Sequence, residues 1–508
     1  MTFRWLSTLF ILLLLGGCAV GPDYQRPDFR QPLPPNWQRS DTGEDTRETT
    51  RETPGGERER WWRTFGDPVL DDLVEQALRH NNDLVAAAGR VLEAEAALGG
   101  ARSSQWPTLE VGGSVSRNKS SQATGPAFGS PRYDSFSATA TARYTLDLWG
   151  RIARGKEAAA AGLLAHESDR RALVQNIIAR VVNTWLEIRE LELQVDLNER
   201  TVNNFQTNLE TVEARYRRGL VSALDVHLAG QNLAGAQAQG PPLRQNLAAA
   251  RRRLEILVGR YPAGTLGTGA RHGLPRPLPR PLPPPLPPVP TGLPSELLER
   301  RPDLAAAEMR LHAATAGIGQ AKAALYPSIS LTANGGSSSA QLGQLFTQPS
   351  GLWSLIGNIF MPVLNRGAYQ MQVKTAEARA LQAAAAYHAA VLKAFGEVEN
   401  ALDQDHFQAE QESYLIASVE RAQHAVALAE DRYRRGLDNI LITLDSQRRL
   451  HNAESRLLTT QRLRRAARVN LILALGGPWG QEEDSRENKN PENRAPGAPA
   501  DNQGVDTP

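Results

Sequence analysis

The chain has 508 residues, enough for two or three ordinary domains. Its 57 lysines and arginines nearly balance 55 aspartates and glutamates, which leaves a net charge of +2. Because the basic residues are scattered among as many acidic ones, the composition argues against a nucleic-acid-binding surface, and we expect no nucleic-acid partner.

The N-terminus predicts export and lipidation. Arg4 precedes the apolar stretch from Leu6 to Leu15, which is too short to span a bilayer and is typical of a signal peptide, here residues 1–17. The segment from Leu15 to Cys18 resembles a bacterial lipobox, in which the cysteine becomes the lipidated first residue. We therefore expect a covalent lipid at Cys18, the single cysteine, and no other cofactor. The alternative is an unmodified thiol beside an ordinary cleavage site.

Composition divides the rest of the chain. Residues 18–66 are rich in Pro, Arg, Glu and Thr and predict a lipid-anchored tether with few contacts, while the polar residues 478–508 predict a disordered tail. Residues 67–273 and 295–477 form two similar halves. In the connector 274–294 a proline at about every second position excludes helix and sheet interior. This pattern favours a stiff polyproline II linker, with a recognition strip for a partner as the alternative.

The two halves are a tandem repeat. The hexapeptide RYRRGL occurs at Arg215–Leu220 and again at Arg432–Leu437, 217 positions later. Two further pairs of landmarks keep the same order. They are Asp83-Leu84 and Asp303-Leu304, each 24 residues before a proline, and Trp149-Gly150-Arg151 and Leu364-Asn365-Arg366. One structural unit is therefore expected twice.

Each repeat begins with a predicted helix and a β-hairpin. The Ala- and Leu-rich segment from Asp67 to Arg102 has no proline after Pro68 and predicts one helix that starts there. From Ser135 to Leu146 apolar or small residues alternate with polar ones, and Leu109 to Val115 show the same period. This alternation predicts strands of a length suited to crossing a bilayer at a tilt.

The second repeat predicts a matching hairpin. Its alternating residues are Ile329, Leu331 and Ala333, followed by Trp353, Leu355, Ile359, Met361 and Val363. A soluble hairpin with one face on a core is the alternative, but no other strand-rich region is present for it to pack against. Four strands cannot close a barrel and lipid does not tolerate open sheet edges, so strands in a membrane would be pooled from several chains.

Two proline-free runs predict very long helices that end in coiled-coil seams. The run from Arg151 to Tyr216 would be about 100 Å long as one helix, and Gly367 to Tyr433 is similar. Spacings of three and four define the seams. Their residues are Val202, Phe205, Leu209, Val212 and Tyr216 in the first run and Val419, Ala422, Val426, Ala429 and Tyr433 in the second.

The repeated hexapeptide predicts the turn that ends each long helix. Gly219 and Gly436 can supply the left-handed residue of a helix end, and the neighbouring arginines suit the negative end of the helix dipole. A returning helix is expected after each turn, from Ser222 to about Val258 and from Asn439 to about Leu475.

Five segments together resemble the TolC-like outer-membrane factor family, in the lipoprotein branch of multidrug efflux outer-membrane components. The resemblance runs from Cys18 to about Gly477 and is specific as a set, although the Pro-rich connector is more repetitive than the family pattern. The segments are CAVGPDYQRP (18–27), WWRTFGDPVLDDLVEQAL (61–78), LDLWGR (146–151), GLPSELLERRPDL (292–304) and RYRRGLDNILITLDSQRRL (432–450).

The resemblance implies a mainly α protein with membrane β-structure. Four strands per chain of a homotrimer would form one twelve-stranded transmembrane β-barrel, continued into the periplasm by a long α-helical coiled-coil barrel. The implied function is a passive outer-membrane exit duct for small molecules, joined by a periplasmic adaptor protein to an inner-membrane pump of the resistance-nodulation-division type. The helix tips would contact the adaptor, with helix capping as the alternative role, through Arg217, Arg218, Gly219, Arg434, Arg435 and Gly436.

The resemblance also implies a periplasmic gate just after the second tip. Leu441, Asp445 and Arg448 are spaced so that they share one helix face, and they match family positions at the pore constriction. Asp225 matches an aspartate at the pore entrance. In a trimer, three Asp445 carboxylates would attract cations. The alternative is a surface Asp445–Arg448 pair worth about 0.2–0.5 kcal/mol, in which case closure would depend on Leu441 and inter-chain contacts.

No motif in the sequence predicts an enzyme. There is no Gly-rich phosphate loop with lysine and no His-Glu spacing typical of a metal site. Two other functions stay open: the duct of a protein-secretion exporter, and a non-channel, lipid-anchored coiled-coil spacer of the envelope. A spacer would have no use for the alternating strands.

Overall fold

The computed structural model describes residues 19–27, 34–38, 60–119, 132–266, 280–287 and 294–477. The predicted signal peptide, Cys18 and the C-terminal tail lie outside these ranges. The first repeat contains helices α1 (Pro68–His80), α2 (Asn82–Ser103), α3 (Arg151–Arg217) and α4 (Ala223–Leu257), with strands β1 (Thr108–Lys119) and β2 (Arg132–Leu146). The second contains α5 (Leu297–Arg300), α6 (Pro302–Ala323), α7 (Arg366–Arg434) and α8 (Ile440–Ala474), with β3 (Ser328–Ser339) and β4 (Gly351–Phe360). Short 3₁₀ turns lie at Trp61–Phe65, Pro294–Glu296, Leu342–Gln344 and Gln348–Ser350.

The predicted long helices are present and continuous. Helix α3 has 67 residues and α7 has 69, so each is about 100 Å long. Each packs against the return helix of its own repeat, α4 or α8, and against the shorter helix α2 or α6. The helices of the described ranges lack an apolar stretch that could span a bilayer.

The prediction of a single helix from Asp67 to Arg102 is wrong, because the structure divides this segment into two helices at Asn81. The backbone of Asn81 is extended, with φ −70° and ψ 123°. Its side-chain oxygen accepts hydrogen bonds from the backbone N–H groups of Asp83 at 2.9 Å and Leu84 at 3.3 Å. Asn81 therefore ends α1 and caps α2.

Asn81 also links α4 to α2, which lie end to end, and this link is called a joint below. Its side-chain nitrogen donates to the carbonyl of Leu257, at the end of α4, over 2.9 Å. In the second repeat Arg301 takes the same place and donates to the carbonyl of Ala474, at the end of α8, over 3.0 Å. The 35-residue return helices and the 22-residue helices α2 and α6 thus form two composite columns, in segments of about 50 and 33 Å.

A glycine in the left-handed conformation completes each joint. Gly259 and Gly476 have φ of 73° and 90°, just after the return helices end. A Cβ atom on Gly259 would collide with the backbone of His80, and one on Gly476 would lie 2.8 Å from the carbonyl oxygen of Arg300. Only glycine fits both the backbone angle and the close approach of the last residue of α1 or α5.

The four strands form one antiparallel sheet in the order β1-β2-β3-β4, so the two predicted hairpins are joined through β2 and β3. Two residues predicted in the last strand, Met361 and Val363, lie outside it, because β4 ends at Phe360 before Pro362. Proline has no N–H group to donate to a neighbouring strand.

The sheet has two chemically different faces. On one face, Thr141 donates to the Asn334 side-chain oxygen at 2.8 Å, and the Asn334 amide donates to Ser354 at 3.1 Å. The opposite face carries large apolar side chains, and Leu109, Val111 and Trp353 are 71–83% exposed. Exposed apolar side chains in such an array predict contact with lipid or with another apolar surface.

The N-terminal segment, expected to make few contacts, docks on both repeats where it is described. In the first repeat the Val20 N–H donates to the Trp149 carbonyl at 3.1 Å, and Arg154 donates to Asp23 at 2.6 Å. Arg26 donates to both carboxylate oxygens of Glu308 at 2.9 and 2.6 Å, and the Tyr24 hydroxyl donates to the same carboxylate at 3.0 Å. Trp37 is buried against Phe395, with ring centroids 5.9 Å apart. The prediction failed because a few aromatic and arginine side chains suffice to dock a segment whose average composition is polar.

Removing the Glu308 carboxylate should loosen this segment, although the contacts of Val20 and Asp23 with the first repeat remain. Charge-assisted hydrogen bonds contribute about 1.5–3 kcal/mol each when buried, and less here because the Arg26 side chain is 45% exposed. In Glu308→Ala we expect hydrogen exchange of residues 19–27 to rise roughly tenfold. Glu377→Ala is the control, since Glu377 forms only a 3.7 Å exposed pair with Lys322. Equal exchange rates in the two variants would show that the carboxylate does not hold the segment.

The described part of the Pro-rich connector, residues 280–287, lies along α8. Leu286 is buried, and the side chains of Arg465 and Arg468 donate to the carbonyls of Pro283 and Leu286. An extended proline-rich segment has no internal hydrogen bonds, so its carbonyls are available to these buried arginines. The remaining connector residues lie outside the described ranges.

Candidate gate at the helix tips

The two copies of RYRRGL form the same turn. Gly219 and Gly436 have φ of 73° and 75°, and their N–H groups donate to the carbonyls of Tyr216 and Tyr433 at 2.8 and 3.0 Å. The following leucine N–H in each copy reaches back to the first arginine of the hexapeptide, at 3.0 and 2.9 Å. This pattern closes both helices with a left-handed glycine, as the sequence predicts.

The surroundings of the two turns differ. Arg215, in the first copy, donates to the Tyr433 carbonyl at 3.3 Å and lies over the Tyr433 ring, 4.3 Å from its centroid. Arg432, in the second copy, instead pairs with Asp438 at 2.5 Å. As a result Tyr433 is 7% exposed, whereas Tyr216 at the equivalent seam position is 49% exposed. The first tip therefore has an uncovered face within a single chain.

A small apolar core holds the two tips together. It contains side chains from both long helices and both return helices. Its buried members are Phe205, Val212, Ala229, Leu233, Ala236, Tyr433, Ile440 and Leu444. Four seam residues of the first repeat and all five of the second are buried or half-buried, and Tyr216 is the exception.

Three of the predicted gate residues lie in the first turns of α8. Asn439 caps this helix by accepting from the Leu441 N–H at 3.2 Å, and the Leu441 side chain is 44% exposed. Asp445 accepts from Arg448 at 2.6 Å, which is the surface pair given above as the alternative to a gate, and also from Arg449 at 2.6 Å. Hydrogen bonds from these two arginines hold the pKa of the Asp445 carboxyl below its usual value.

Asp225 lies apart from this group, in the first turn of α4. Its carboxylate accepts from the Ser222 N–H at 2.9 Å and from the Ser222 hydroxyl at 2.8 Å. The Ser222 hydroxyl oxygen in turn accepts from the Asp225 N–H at 3.3 Å, which completes a capping box. In this chain the Asp225 carboxylate thus serves its own helix start.

Two charged residues at the tips were not predicted. Arg449 could have been found, because it stands four residues after Asp445 on the same helix. The Asp438 partner of Arg432 could not, because the two residues are joined across a turn where helical spacing does not apply. The Asp438 pKa is lowered by its hydrogen bond from Arg432.

The predicted contact arginines are all exposed. Arg435 pairs with Asp431 at 2.9 Å, and Arg434 donates weakly to the carbonyl of Glu430 at 3.4 Å. Arg217 and Arg218 extend from the end of α3 beside the uncovered Tyr216. The first tip therefore presents two adjacent positive charges to solvent.

The paired long helices, the four-stranded sheet and the duplicated tips agree with a family pattern. The sequence profile of the outer membrane efflux protein family matches residues 73–260 and 293–477, which cover most of the first repeat and all of the second. The chain belongs to the outer membrane efflux protein family. The resemblance carried by the five segments is thereby confirmed, and the chain is the outer-membrane component of an efflux system.

Relatives and solved structures extend this match over nearly the whole chain. The pyoverdine export outer membrane protein OpmQ of Pseudomonas putida is 33% identical over 433 residues, covering 84% of this chain and 90% of OpmQ. The toluene efflux pump outer membrane protein TtgI, from another strain of P. putida, is 33% identical over 484 residues, covering 94% and 98%. The solved outer-membrane channel OprN superposes with a TM-score of 0.80 at 30% identity, over 91% of this chain and 99% of OprN. This member of the efflux family therefore shares the fold of the outer-membrane channel OprN.

Proposed function

We propose that three copies of this chain form one outer-membrane exit duct, closed at rest near Leu441 and Asp445 and supplied by an inner-membrane pump through a periplasmic adaptor protein. The sheet carries this proposal. Among the residues that the structure describes, strands β1 and β4 are each paired on one side only, so both edges of the sheet are open in the single chain. Open edges are not tolerated in lipid, and they pair fully if β1 of one copy meets β4 of the next.

Barrel size favours three copies. Two copies would give eight strands, a number whose interior is filled by side chains, whereas twelve strands leave room for a lumen. The helices are compatible with three copies. Each chain supplies two continuous helices and two composite columns, so three chains would supply twelve helical columns beneath twelve strands. In a ring, the next copy would also cover Tyr216, the one seam residue that this chain leaves exposed.

The transported compounds are proposed to be small organic molecules. Two relatives are named for the export of pyoverdine and toluene. The polar face of the sheet, with its Thr, Ser and Asn side chains, would line the lumen and favours passive conduction of many solutes over tight binding of one. The driving energy would come from the pump, which we propose to be of the resistance-nodulation-division type. A covalent lipid at Cys18 would add a membrane anchor.

Reconstitution tests the duct directly. Purified full-length protein in planar bilayers should show discrete conductance steps, and native mass spectrometry should show three chains per particle. Because a duct closed at rest conducts little, the Leu441→Ala/Asp445→Ala variant is recorded as well. Absence of conductance in both proteins would indicate a spacer, and a stoichiometry other than three would reject the twelve-stranded barrel. Cross-linking in the cell envelope followed by co-purification should recover an adaptor and a small-molecule pump; recovery of a protein-secretion exporter would favour the other duct.

Charge reversal should weaken adaptor binding if the first tip is a contact surface. In Arg217→Glu/Arg218→Glu we expect the association rate of the purified adaptor to fall about tenfold at low salt, and the difference to shrink as salt rises. Surface plasmon resonance at two salt concentrations measures both effects. The control is Arg90→Glu/Arg379→Glu, which reverses two exposed arginines on the helical shafts. An equal loss in the control would mean that overall charge, and not the tip, governs binding.

A further inference from the structure

The apolar face of the first hairpin ends in a cluster of charges. Directly opposed residues on β1 and β2 share a face, and Val115 opposite Phe136 is the last apolar pair away from the helices. From Phe136 to Leu146 this face runs about 33 Å along the strand, or about 25 Å in height at the usual barrel tilt. That height matches the apolar band of an outer-membrane barrel.

The next two pairs on the same face are charged. Arg117 lies opposite Asp134, with the Arg117 Nε atom 3.4 Å from a carboxylate oxygen, and Lys119 lies opposite Arg132. The strand residues 117, 119 and 132 are exposed. The sequence 120–131 between the strands contains no charged residue, so three cations and one anion give this end of the hairpin a charge of +2.

The Lys119–Arg132 pair is unfavourable without an anion. Side chains directly opposed in an antiparallel pair have Cβ atoms about 4.5–5.5 Å apart, and like charges at that distance destabilise the sheet. The carboxylate of Asp134 is already paired with Arg117. A phosphate group between Lys119 and Arg132 would replace their repulsion with two charge-assisted hydrogen bonds.

The position of the cluster indicates which phosphate is available. The helices continue from the opposite ends of β1 and β2, so the cluster lies at the far end of the apolar band, at the level of the outer-leaflet head groups. We propose that Lys119 and Arg132, with Arg117 beside them, bind the phosphate groups of an anionic glycolipid in the outer leaflet.

A general need for solubility at the rim does not explain the cluster. The strands of the second hairpin end at the level of Phe136 and Ala138, just short of the cluster, and residues 328–360, which include the connection between those strands, contain no Asp, Glu, Lys or Arg. If charge were needed only to keep strand ends in water, both hairpins would carry it. The restriction to one hairpin instead predicts one lipid-binding site per chain.

Lipid binding to the purified full-length protein tests the proposal. Native mass spectrometry with bisphosphorylated lipid A should show bound lipid, and in Lys119→Gln/Arg132→Gln the affinity should fall about tenfold, with dephosphorylated lipid A bound weakly by both proteins. Arg90→Gln, an exposed arginine on the periplasmic shaft, is the matched control and should bind like the unmodified protein. Equal affinity for the two lipids, or no loss in the double variant, would overturn the proposal. So would displacement of the lipid by an equal concentration of inorganic phosphate.

A second variant separates lost binding from lost folding. Lys119→Glu places a carboxylate opposite Arg132 and so replaces repulsion with an ion pair. We expect its thermal stability to equal or exceed that of the unmodified protein without lipid, while its affinity for bisphosphorylated lipid A falls at least as far as in the double variant. Retained affinity in this well-folded variant would exclude the site.

Discussion

Replacing Leu441 and Asp445 with alanine is expected to open the resting duct. Burying a leucine side chain contributes about 1.5–3 kcal/mol, so three Leu441 side chains closing on one another would outweigh three Asp445–Arg448 pairs, which together contribute around 1 kcal/mol. Leu441 is 44% exposed in the single chain and is thus available for such contact. We expect the open probability of single channels without adaptor to rise at least about tenfold.

The neighbouring residue provides the control for this variant. Ile442 is 50% exposed in the same turn of α8, but it points about 100° around the helix from Leu441. Ile442→Ala should leave open probability unchanged, and cells carrying it should stay resistant to large antibiotics that the leaky variant admits. An unchanged leak in Leu441→Ala/Asp445→Ala would show that the gate lies elsewhere, and an equal leak in Ile442→Ala would indicate general loosening of the tips.

Loss of the Arg301 side chain should be the most destabilising of the substitutions considered. Arg301 donates to the Ala474 carbonyl at 3.0 Å, to both oxygens of Asp303 at 3.0 and 2.7 Å, and lies 2.7 Å from Glu397. Its side chain is only 10% exposed. Arg301→Ala breaks the second joint and removes the cation between two carboxylates, so we expect a loss of about 2–4 kcal/mol in thermal unfolding of the purified protein.

The same loss should depend on pH. Burial of Asp303 by itself raises its pKa, but the hydrogen bond and charge of Arg301 outweigh it and hold the Asp303 pKa below its usual value. A depressed folded-state pKa contributes stability above the ordinary value of about 3.9, and that contribution disappears as the pH falls through the folded-state pKa. The difference in free energy of unfolding between Arg301→Ala and the unmodified protein should therefore become smaller below about pH 4.

Arg300 offers a matched control for this experiment. It precedes Arg301 and pairs with Glu296 at 2.7 Å, but both side chains are at least 40% exposed. Arg300→Ala should cost no more than about 1 kcal/mol at pH 7, with little further change below pH 4. If both variants lose the same stability, the joint contributes no more than a surface ion pair.

Local sequence rules predicted the elements that depend on local interactions. The proline-free runs gave α3 and α7 to within one or two residues, and Gly219 and Gly436 marked the tips. The break at Asn81 was missed because an asparagine can lie within a helix or cap one. Asn81 caps a helix here because its side chain also donates to the carbonyl of Leu257, 176 positions away. Docking of the N-terminal segment on Glu308 is equally non-local.

The same distinction holds at the tips. Helical spacing allowed an Asp445–Arg448 surface pair as the alternative to a gate, and the structure contains this pair. It did not predict that Arg215 covers Tyr433 from the other repeat, because that contact depends on how the two hairpins pack. The different surroundings of two identical hexapeptides therefore could not be read from the hexapeptides.

The joints at Asn81 and Arg301 allow each return helix to rotate as a rigid body about its joint. Across each joint a side-chain hydrogen bond replaces the continuous backbone ladder, so the two segments of a column can change their relative angle without unwinding either helix. A return helix of 35 residues extends about 50 Å from the joint, so a rotation of about 5° displaces its far end by roughly 4–5 Å. Small rearrangements at mid-height would thus become movements of the size of a side chain where Leu441 lies.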